Sequence, residues 1–398
     1  MKYLIVVGDG MSDEPVAALG GRTPLAAACT PHLDRMVRAG VGGAARLTPE
    51  GFEPGSDVAN LGLLGCDVRE GYTGRSPLEA AAMGVALGPG DVAFRCNLVS
   101  LAGEGTVMGD FSAGHIGSAE AAEIVADLDR RLGGDGIRFH AGVGYRHLMV
   151  WAGGSDAVRC VPPHDIMGRA LAPHLPTGPG AERLRGLMEA ARAILADHPV
   201  NRRRRARGEA AADGIWLWGQ GRRPRLAPLA ERFGVTGAMI SAVDLLKGIA
   251  LHLGMEVVEV PGATGWIDTD YEGKAAAAMA ALDRHDLVCV HLEAPDEAGH
   301  AGRADLKVQA IEDLDRRLLG PLLAHLEARG GPWRALALPD HPTPVRLRTH
   351  AAGPVPFAAC GEGIAPDGNT RYDEDLLAHP GRVFDPGHGL LPWFLGRG

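Results

Sequence analysis

Three apolar runs in this 398-residue chain are followed by side chains that bind metal ions. Asp9 follows the run LIVV, Asp296 and His300 follow LVCVHL, and Asp340 and His341 follow ALAL. Each run is typical of a buried strand in a parallel sheet. Ligands and reacting groups gather beyond the carboxyl ends of such strands. We therefore expect these five side chains to share one site.

Each of these residues also has an ordinary explanation. An aspartate after a strand commonly caps a helix, and residues four apart, such as Asp296 and His300, are often a surface pair on a helix. Their joint placement, with His350 nine residues beyond His341, favours a metal site. Carboxylate and imidazole without thiolate suit Mn²⁺ or Zn²⁺, and Mg²⁺ less well. The set exceeds what one ion takes from side chains, so we expect two divalent ions that bridge a phosphoryl group.

Ser56 is the candidate nucleophile for such a site. It follows Pro54 and Gly55 and stands at the start of a predicted helix. A helix N-terminus attracts an anion, and a metal ion on the hydroxyl would lower its pKa. Taken alone, Ser56 is better explained as a helix cap. Beside two metal ions, the role of nucleophile is favoured.

The site residues must be positioned by the elements around them. Along the chain, short apolar runs alternate with longer helical stretches, which favours an α/β fold with a parallel sheet. Residues 3–7, 287–292 and 335–338 are predicted strands. Helices are predicted at residues 119–132, 181–196, 238–253, 273–282 and 306–329.

The middle third is richer in proline, glycine and arginine than the two ends. We expect a core domain built from residues 1–105 and 233–398 around an inserted, smaller α/β domain of residues 106–232. Such an insert often forms a lid over a ligand cleft.

Composition excludes several classes of protein. A net charge of −9 and 5% aromatic residues argue against a nucleic-acid binder, and the arginines at 202–205 and 207 are best explained as a solvated helix end. No apolar run approaches the roughly 20 residues that cross a bilayer, and no cleavage site of a signal peptide is visible. The six cysteines are far apart. We expect a cytoplasmic protein with no membrane or nucleic-acid partner.

Eight segments in order, from the first ten residues to about residue 357, carry a family resemblance. They are similar to cofactor-independent (2,3-bisphosphoglycerate-independent) phosphoglycerate mutases of the archaeal type, within the alkaline phosphatase superfamily. This resemblance implies a three-layer α/β/α core with a mostly parallel sheet. The segments are VGDGMSD, PGSDVANLGLLGCD, GRSPLEAAAMG, VPGATGWIDTDY, APDEAGH, IEDLDRR, PDHPTP and HAAGPVPF.

The resemblance also implies roles for the site residues. Ser56 would be phosphorylated and would contact one metal ion, which it shares with Asp9, Asp340 and His341. The second ion would be held by Asp296, His300 and His350. The implied reaction interconverts 2-phosphoglycerate and 3-phosphoglycerate through a phosphoserine, without added 2,3-bisphosphoglycerate.

The substrate is open to an alternative. His115 in GDFSAGHIG stands where archaeal mutases have an arginine, and the segments GVGYRHLMVW and IWLWGQG resemble a bacterial subgroup also proposed to act as homoserine kinase. A phosphatase is a third possibility. A small phosphorylated acid needs cationic partners, and the candidates are Arg75, Arg95, His115 and Arg146. The oligomeric state is left open by the sequence.

Overall fold

The computed structural model describes residues 1–397. The chain forms two compact units, each described here by itself. The core unit consists of Met1–Tyr72 and the chain from Arg225 onward, and the inserted unit is Thr73–Pro224.

The strands alternate with helices along the chain. In chain order they are β1 (Lys2–Gly8), β2 (Val41–Ala45), β3 (Val92–Ala102), β4 (Val107–Asp110), β5 (Ile137–His140), β6 (Arg146–Trp151), β7 (Gly214–Gly221), β8 (Gly237–Ile240), β9 (Glu256–Val257), β10 (Leu287–Leu292), β11 (Trp333–Leu338), β12 (Val355–Gly361) and β13 (Arg382–Phe384).

Two α-helices, Ser118–Leu132 and Ala181–Leu195, agree with the helices predicted at residues 119–132 and 181–196 to within one residue at each end. The α-helices are α1 (Pro24–Ala27), α2 (Pro31–Ala39), α3 (Ser56–Leu63), α4 (Val68–Gly71), α5 (Ser76–Ala82), α6 (Ser118–Leu132), α7 (Ala181–Leu195), α8 (Pro199–Ala206), α9 (Leu229–Phe233), α10 (Asp244–His252), α11 (Tyr271–Arg284), α12 (Ala294–His300), α13 (Ala304–Asp313), α14 (Gly320–Arg329), α15 (Asp375–Ala378) and α16 (Leu390–Phe394). A π-helical segment, Leu314–Leu319, joins α13 to α14.

The core unit has an eight-stranded sheet in the order β13-β2-β12-β11-β1-β10-β8-β9. Strand β1 pairs in parallel with both β10 and β11, and β10 pairs in parallel with β8. Among the described strands of this sheet, only the pairs of β12 with β11 and β2 are antiparallel. The sheet is therefore mostly parallel, as expected.

Both faces of the central strand are covered, as a three-layer α/β/α arrangement requires. Leu4 and Val6 point into a core shared with α2, α11, α13 and α14. Ile5 and Val7, on the opposite face, are fully buried as well, and the ring of Tyr3 packs edge-on against Phe394 of α16. This double burial explains why β1 is an uninterrupted apolar run.

The inserted unit has its own antiparallel sheet and its own apolar core. Strand β3 pairs with β6, with β7 and, at its end, with β4, while β5 pairs with β6. Helices α6 and α7 supply apolar side chains to this core. The unit is the smaller α/β domain that we expected.

Its first boundary differs from the expected one. We placed residues 73–105 in the core, but they belong to the inserted unit, because β3 is the central strand of that unit's sheet and hydrogen-bonds to strands on both sides. At the other end the unit closes at Pro224, eight residues before the expected limit of 232.

The predicted helix at residues 238–253 was wrong in its first part. Gly237–Ile240 is strand β8, and the helix begins only at Asp244. A four-residue apolar run fits either state, and the free edge of β10 decides it by pairing with β8 in parallel.

The arginine run ends α8, as expected for a helix end, and each arginine has an acidic partner within the inserted unit. These pairs leave no unbalanced basic surface at this run. They are Arg202–Asp197, Arg203–Glu123, Arg204–Glu120, Arg205–Asp213 and Arg207–Glu209. Among residues 1–397, no helix combines the length and the apolarity needed to span a bilayer.

Candidate active site

Three neighbouring strands of the core sheet end where the predicted site residues lie. Asp9 follows β1 directly, Asp296 lies in α12 just after β10, and Asp340 and His341 follow β11. Because β1 lies between β10 and β11, these side chains meet at one edge of the sheet. Ser56 begins α3 in the same unit.

One group of side chains surrounds the Ser56 hydroxyl. Its Oγ lies 3.2 Å from Nε2 of His341 and 3.5 Å from Oδ2 of Asp9. The His341 Nε2 is in turn 3.5 Å from Oδ1 of Asp9 and 3.6 Å from Oδ2 of Asp340. His341 and Asp9 thus face the serine hydroxyl, and Asp340 lies beside His341.

Asn60, one turn along α3, ties the serine's helix to this group. Its Nδ2 donates to the Ser56 carbonyl at 2.9 Å and to Oδ2 of Asp340 at 2.8 Å. The other oxygen of Asp340 accepts from the backbone N–H groups of Gly10 and His341. The aspartate is therefore held from both sides, and Ser56 is fixed relative to it.

A second group consists of Asp296, His300 and His350. Four residues apart on α12, Asp296 and His300 lie on one face, with 3.1 Å between Oδ2 and Nε2. The Nε2 of His350 is 3.6 Å from Oδ1 of Asp296 and 3.1 Å from Nε2 of His300. The three ligand atoms could hold one metal ion.

Backbone carbonyls set the orientation of both imidazoles in this group. Nδ1 of His300 lies 3.0 Å from the Arg348 carbonyl, and Nδ1 of His350 lies 3.1 Å from the Pro54 carbonyl. A carbonyl only accepts, so each Nδ1 donates its hydrogen, and each Nε2 faces Asp296 and the other imidazole. Second partners of this kind orient metal-binding histidines. Two imidazole nitrogens 3.1 Å apart need a positive charge between them, which a metal ion or a proton supplies.

The charges of the two groups favour bound cations. Asp9, Asp296 and Asp340 are almost fully buried, and no hydrogen bond within the described chain reaches Oδ1 of Asp9. Burial, together with the neighbouring Asp340 and Asp296, raises the pKa of Asp9 well above its usual value. Buried carboxylates at this density need cationic partners. The donor set of oxygen and imidazole nitrogen fits divalent ions such as Mn²⁺ or Zn²⁺.

Sequence reasoning missed His291 in this site. It lies in β10, and its buried Nε2 is 3.1 Å from Oδ2 of Asp9. Burial lowers the pKa of His291 to about 4, so this imidazole is neutral at pH 7. Together with Asp9 and Asp340 it forms a further group able to hold a metal ion. The signal was a histidine next to the last residue of an otherwise apolar strand.

The four predicted substrate residues all lie in the inserted unit. The guanidinium groups of Arg75 and Arg95 lie over the Trp218 ring, 5.4 and 4.9 Å from its centre. Both also contact Glu79, at 3.5 and 3.2 Å. The buried ring of Trp218 thus supports both cations.

Arg146 and His115 extend the same cluster through Tyr145. The Arg146 guanidinium lies 4.5 Å from the centre of the Tyr145 ring, and the His115 ring lies edge-on to that ring at 6.3 Å. Burial lowers the pKa of Arg95 to about 10, and Arg75 and Arg146 add to this effect. The three arginines are therefore close enough to repel one another, an arrangement suited to an anion.

Comparison with known proteins gives the family. A sequence model described as 2,3-bisphosphoglycerate-independent phosphoglycerate mutase matches residues 38–201. A Geobacter sulfurreducens protein named as a probable enzyme of this kind is 54% identical, over 100% of both chains. The chain belongs to the 2,3-bisphosphoglycerate-independent phosphoglycerate mutase family.

Other members of this family are similar over nearly the whole chain. The Methanothrix thermoacetophila 2,3-bisphosphoglycerate-independent phosphoglycerate mutase is 51% identical and covers 98% of each chain. The solved structure of the cofactor-independent phosphoglycerate mutase from Thermoplasma acidophilum is 27% identical, with a TM-score of 0.64 and 100% of each chain covered. The likeness thus includes both units.

Proposed function

We propose that this protein is an enzyme that interconverts 2-phosphoglycerate and 3-phosphoglycerate by way of a phosphoserine at Ser56. The observation that carries the proposal is the position of the Ser56 hydroxyl. It stands at the start of a helix, within 3.5 Å of His341 and Asp9, in a family whose named relatives are mutases.

Two divalent metal ions complete the site in this proposal, Mn²⁺ or Zn²⁺ in preference to Mg²⁺. One would be held by Asp9, Asp340, His341 and Ser56. The other would be held by Asp296, His300 and His350. When bound, the ions would neutralise phosphoryl charge and favour the ionised form of the serine hydroxyl.

The protein's own residues perform the transfer. Ser56 Oγ bonds to the phosphorus of the substrate as the bond from phosphorus to the glycerate oxygen breaks, and the proton of the serine hydroxyl passes to that glycerate oxygen. The free N–H groups at the start of α3 favour the negative charge of the phosphoryl group. Attack on the phosphoserine by the other glycerate hydroxyl then returns Ser56 to its starting state, so no 2,3-bisphosphoglycerate has to be added.

The cluster of Arg75, Arg95, His115 and Arg146 is proposed to bind the anionic groups of the substrate. Guanidinium groups bind carboxylate and phosphate through paired hydrogen bonds. The proximity of three arginines in one unit supports this role, since Arg75 and Arg146 lower the pKa of Arg95 while Glu79 opposes that effect. The proposed cytoplasmic location rests on the six separated cysteines, which suit a reducing compartment.

The test compares the wild type with Ser56→Ala after reconstitution with Mn²⁺. A matched control is Ser118→Ala, because Ser118 also begins a helix after a glycine but is exposed. Conversion of 3-phosphoglycerate to 2-phosphoglycerate should be lost in Ser56→Ala and kept in the control. A phosphoserine trapped by acid quench should appear only where Ser56 is present.

Two parallel assays separate the alternatives. Homoserine with ATP tests the kinase, and release of inorganic phosphate from 3-phosphoglycerate tests the phosphatase. Phosphorylation of homoserine that depends on Ser56, without mutase activity, would support Ser56 as the nucleophile. It would overturn the assignment of phosphoglycerate as the substrate. Full mutase activity in Ser56→Ala would overturn the nucleophile.

A further inference from the structure

Thr343 lies between the two groups of metal-binding side chains and belongs to neither. It is fully buried. Its Oγ1 lies 2.5 Å from Oδ1 of Asp296, in one group, and 3.2 Å from Nδ1 of His341, in the other. A single hydroxyl therefore contacts both groups.

The direction of these two hydrogen bonds follows from the chemistry of the partners. Asp296 as a carboxylate only accepts, so the Thr343 hydroxyl donates to it. The oxygen then accepts from Nδ1–H of His341. That hydrogen bond leaves Nε2 of His341 with its lone pair, on the side that faces Ser56. One hydroxyl thus fixes both the carboxylate rotamer of one group and the tautomer of the other.

The backbone around Thr343 holds the hydroxyl in place. The Thr343 carbonyl accepts from Nζ of Lys307 at 2.8 Å, and its N–H donates to the Ser12 carbonyl at 3.1 Å. A Cβ added to Gly10 would lie 2.6 Å from Oγ1 of Thr343, and one added to Gly299 would lie 2.6 Å from its carbonyl oxygen. Two glycines thus allow the close approach of Thr343 to the loop after β1 and to α12.

We propose that Thr343 is a positioning residue that couples the two ion sites, so that the two divalent ions bind cooperatively. With an ion bound beside it, the Asp296 carboxylate that accepts from Thr343 would be fixed, and the Thr343 hydroxyl would then orient His341 for the other ion. The reverse order acts through the same two hydrogen bonds. This inference rests on the two-ion site of the proposed function.

The decisive variant is Thr343→Val, which keeps the shape and removes the hydroxyl. Thr343→Ser keeps the hydroxyl and is the rescue variant. The matched control is Thr236→Val, because Thr236 also donates its hydroxyl to an aspartate, Asp286, but is exposed and lies before β8. Circular dichroism and thermal unfolding check that each variant is folded.

Binding of Mn²⁺ to the metal-stripped proteins is followed by the electron paramagnetic resonance of the free ion. The wild type, the serine variant and the control should bind two ions with positive cooperativity. Thr343→Val should bind both ions roughly 10–100-fold more weakly, as is typical when a partner of a metal ligand is removed, and its cooperativity should be lost. At saturating Mn²⁺ its kcat should fall while the KM for 3-phosphoglycerate stays the same.

The outcomes separate this inference from the proposed function. Two ions and full mutase activity in the wild type, with an unchanged isotherm in Thr343→Val, would overturn the coupling alone. Weaker binding of only one of the two ions in Thr343→Val would overturn the coupling too. A wild type that binds a single ion would overturn both the two-ion site and the coupling. If the valine variant does not fold, Thr343→Ala carries the same expectation, since it also lacks the hydroxyl.

Discussion

The buried ion pair between Lys307 and Asp13 offers a sharp test of how the loops around the site are held. Neither side chain has more than 1% of its surface exposed, and Nζ lies 2.7 Å from Oδ2 of Asp13. The ammonium also donates to the carbonyls of Ser12 and Thr343. Burial lowers the pKa of Lys307, and Asp13 opposes that effect. The lysine thus joins the loop after β1 to the loop after β11.

The perturbation is Lys307→Met, which keeps much of the volume and removes the charge. It leaves a buried carboxylate without its cation and two carbonyls without their donor. Removing one partner of such a pair typically costs about 3–5 kcal/mol, and we expect a loss in this range. The double variant Lys307→Met/Asp13→Asn also removes the orphaned charge. It should therefore be more stable than Lys307→Met by about 1 kcal/mol or more.

Urea unfolding of the Mn²⁺-loaded proteins, followed by circular dichroism, measures these differences. The control is Arg35→Met, because Arg35 pairs with Glu327 and their side chains are 45% and 49% exposed. Exposed pairs contribute about 0–1 kcal/mol, so the control should unfold almost as the wild type does. A loss below about 1 kcal/mol in Lys307→Met would refute the reasoning. A double variant less stable than the single one would refute it as well.

Two further predictions concern pH and metal. Burial lowers the pKa of His147 to about 4 from its ordinary 6.5, so the unfolded chain binds this proton first as the pH falls. The stability associated with neutral His147 is present above pH 6.5 and is lost below it, by about 2 kcal/mol between pH 7.5 and pH 5. In urea unfolding, His147→Asn should lack this part of the pH dependence. The control His379→Asn, at an exposed histidine, should keep it. An equal change of unfolding free energy with pH in both variants would contradict the assignment to His147. Removal of divalent ions by a chelator should abolish activity and lower Tm, and Mn²⁺ at about 100 times its Kd should restore about 2.7 kcal/mol for each ion bound. An unchanged Tm and activity after verified removal of metal would contradict the two-ion site.

Much of the core could be predicted from the sequence because its strands are buried on both faces. Residues 287–292 form β10 with the predicted bounds, since a doubly buried strand must be continuously apolar. The predicted metal ligands follow such strands within a few residues, so their grouping was visible as a pattern of sequence positions. Their role as metal ligands remains a prediction.

What the sequence did not reveal depends on contacts between distant segments. The apolar residues at 237–240 became a strand because β10 had a free edge, and β3 belongs to the inserted unit because β6 and β7 pair with it. The contact of Thr343 with both groups of metal-binding side chains depends on the path of the loop after β11. No local periodicity encodes such a contact.

The position of β1 between β10 and β11 has a consequence for synthesis of the chain. Strand β1 leaves the ribosome before the other described strands, but its second neighbour is complete only at Leu338. At roughly 5–20 residues per second, the first strand waits about 15–60 s for both partners. The segment Thr73–Pro224 is continuous and is finished much earlier. We therefore expect the nascent chain to carry a completed inserted unit while the run LIVV of β1 still has no strand beside it. This apolar run is then the segment for which we expect protection by a chaperone.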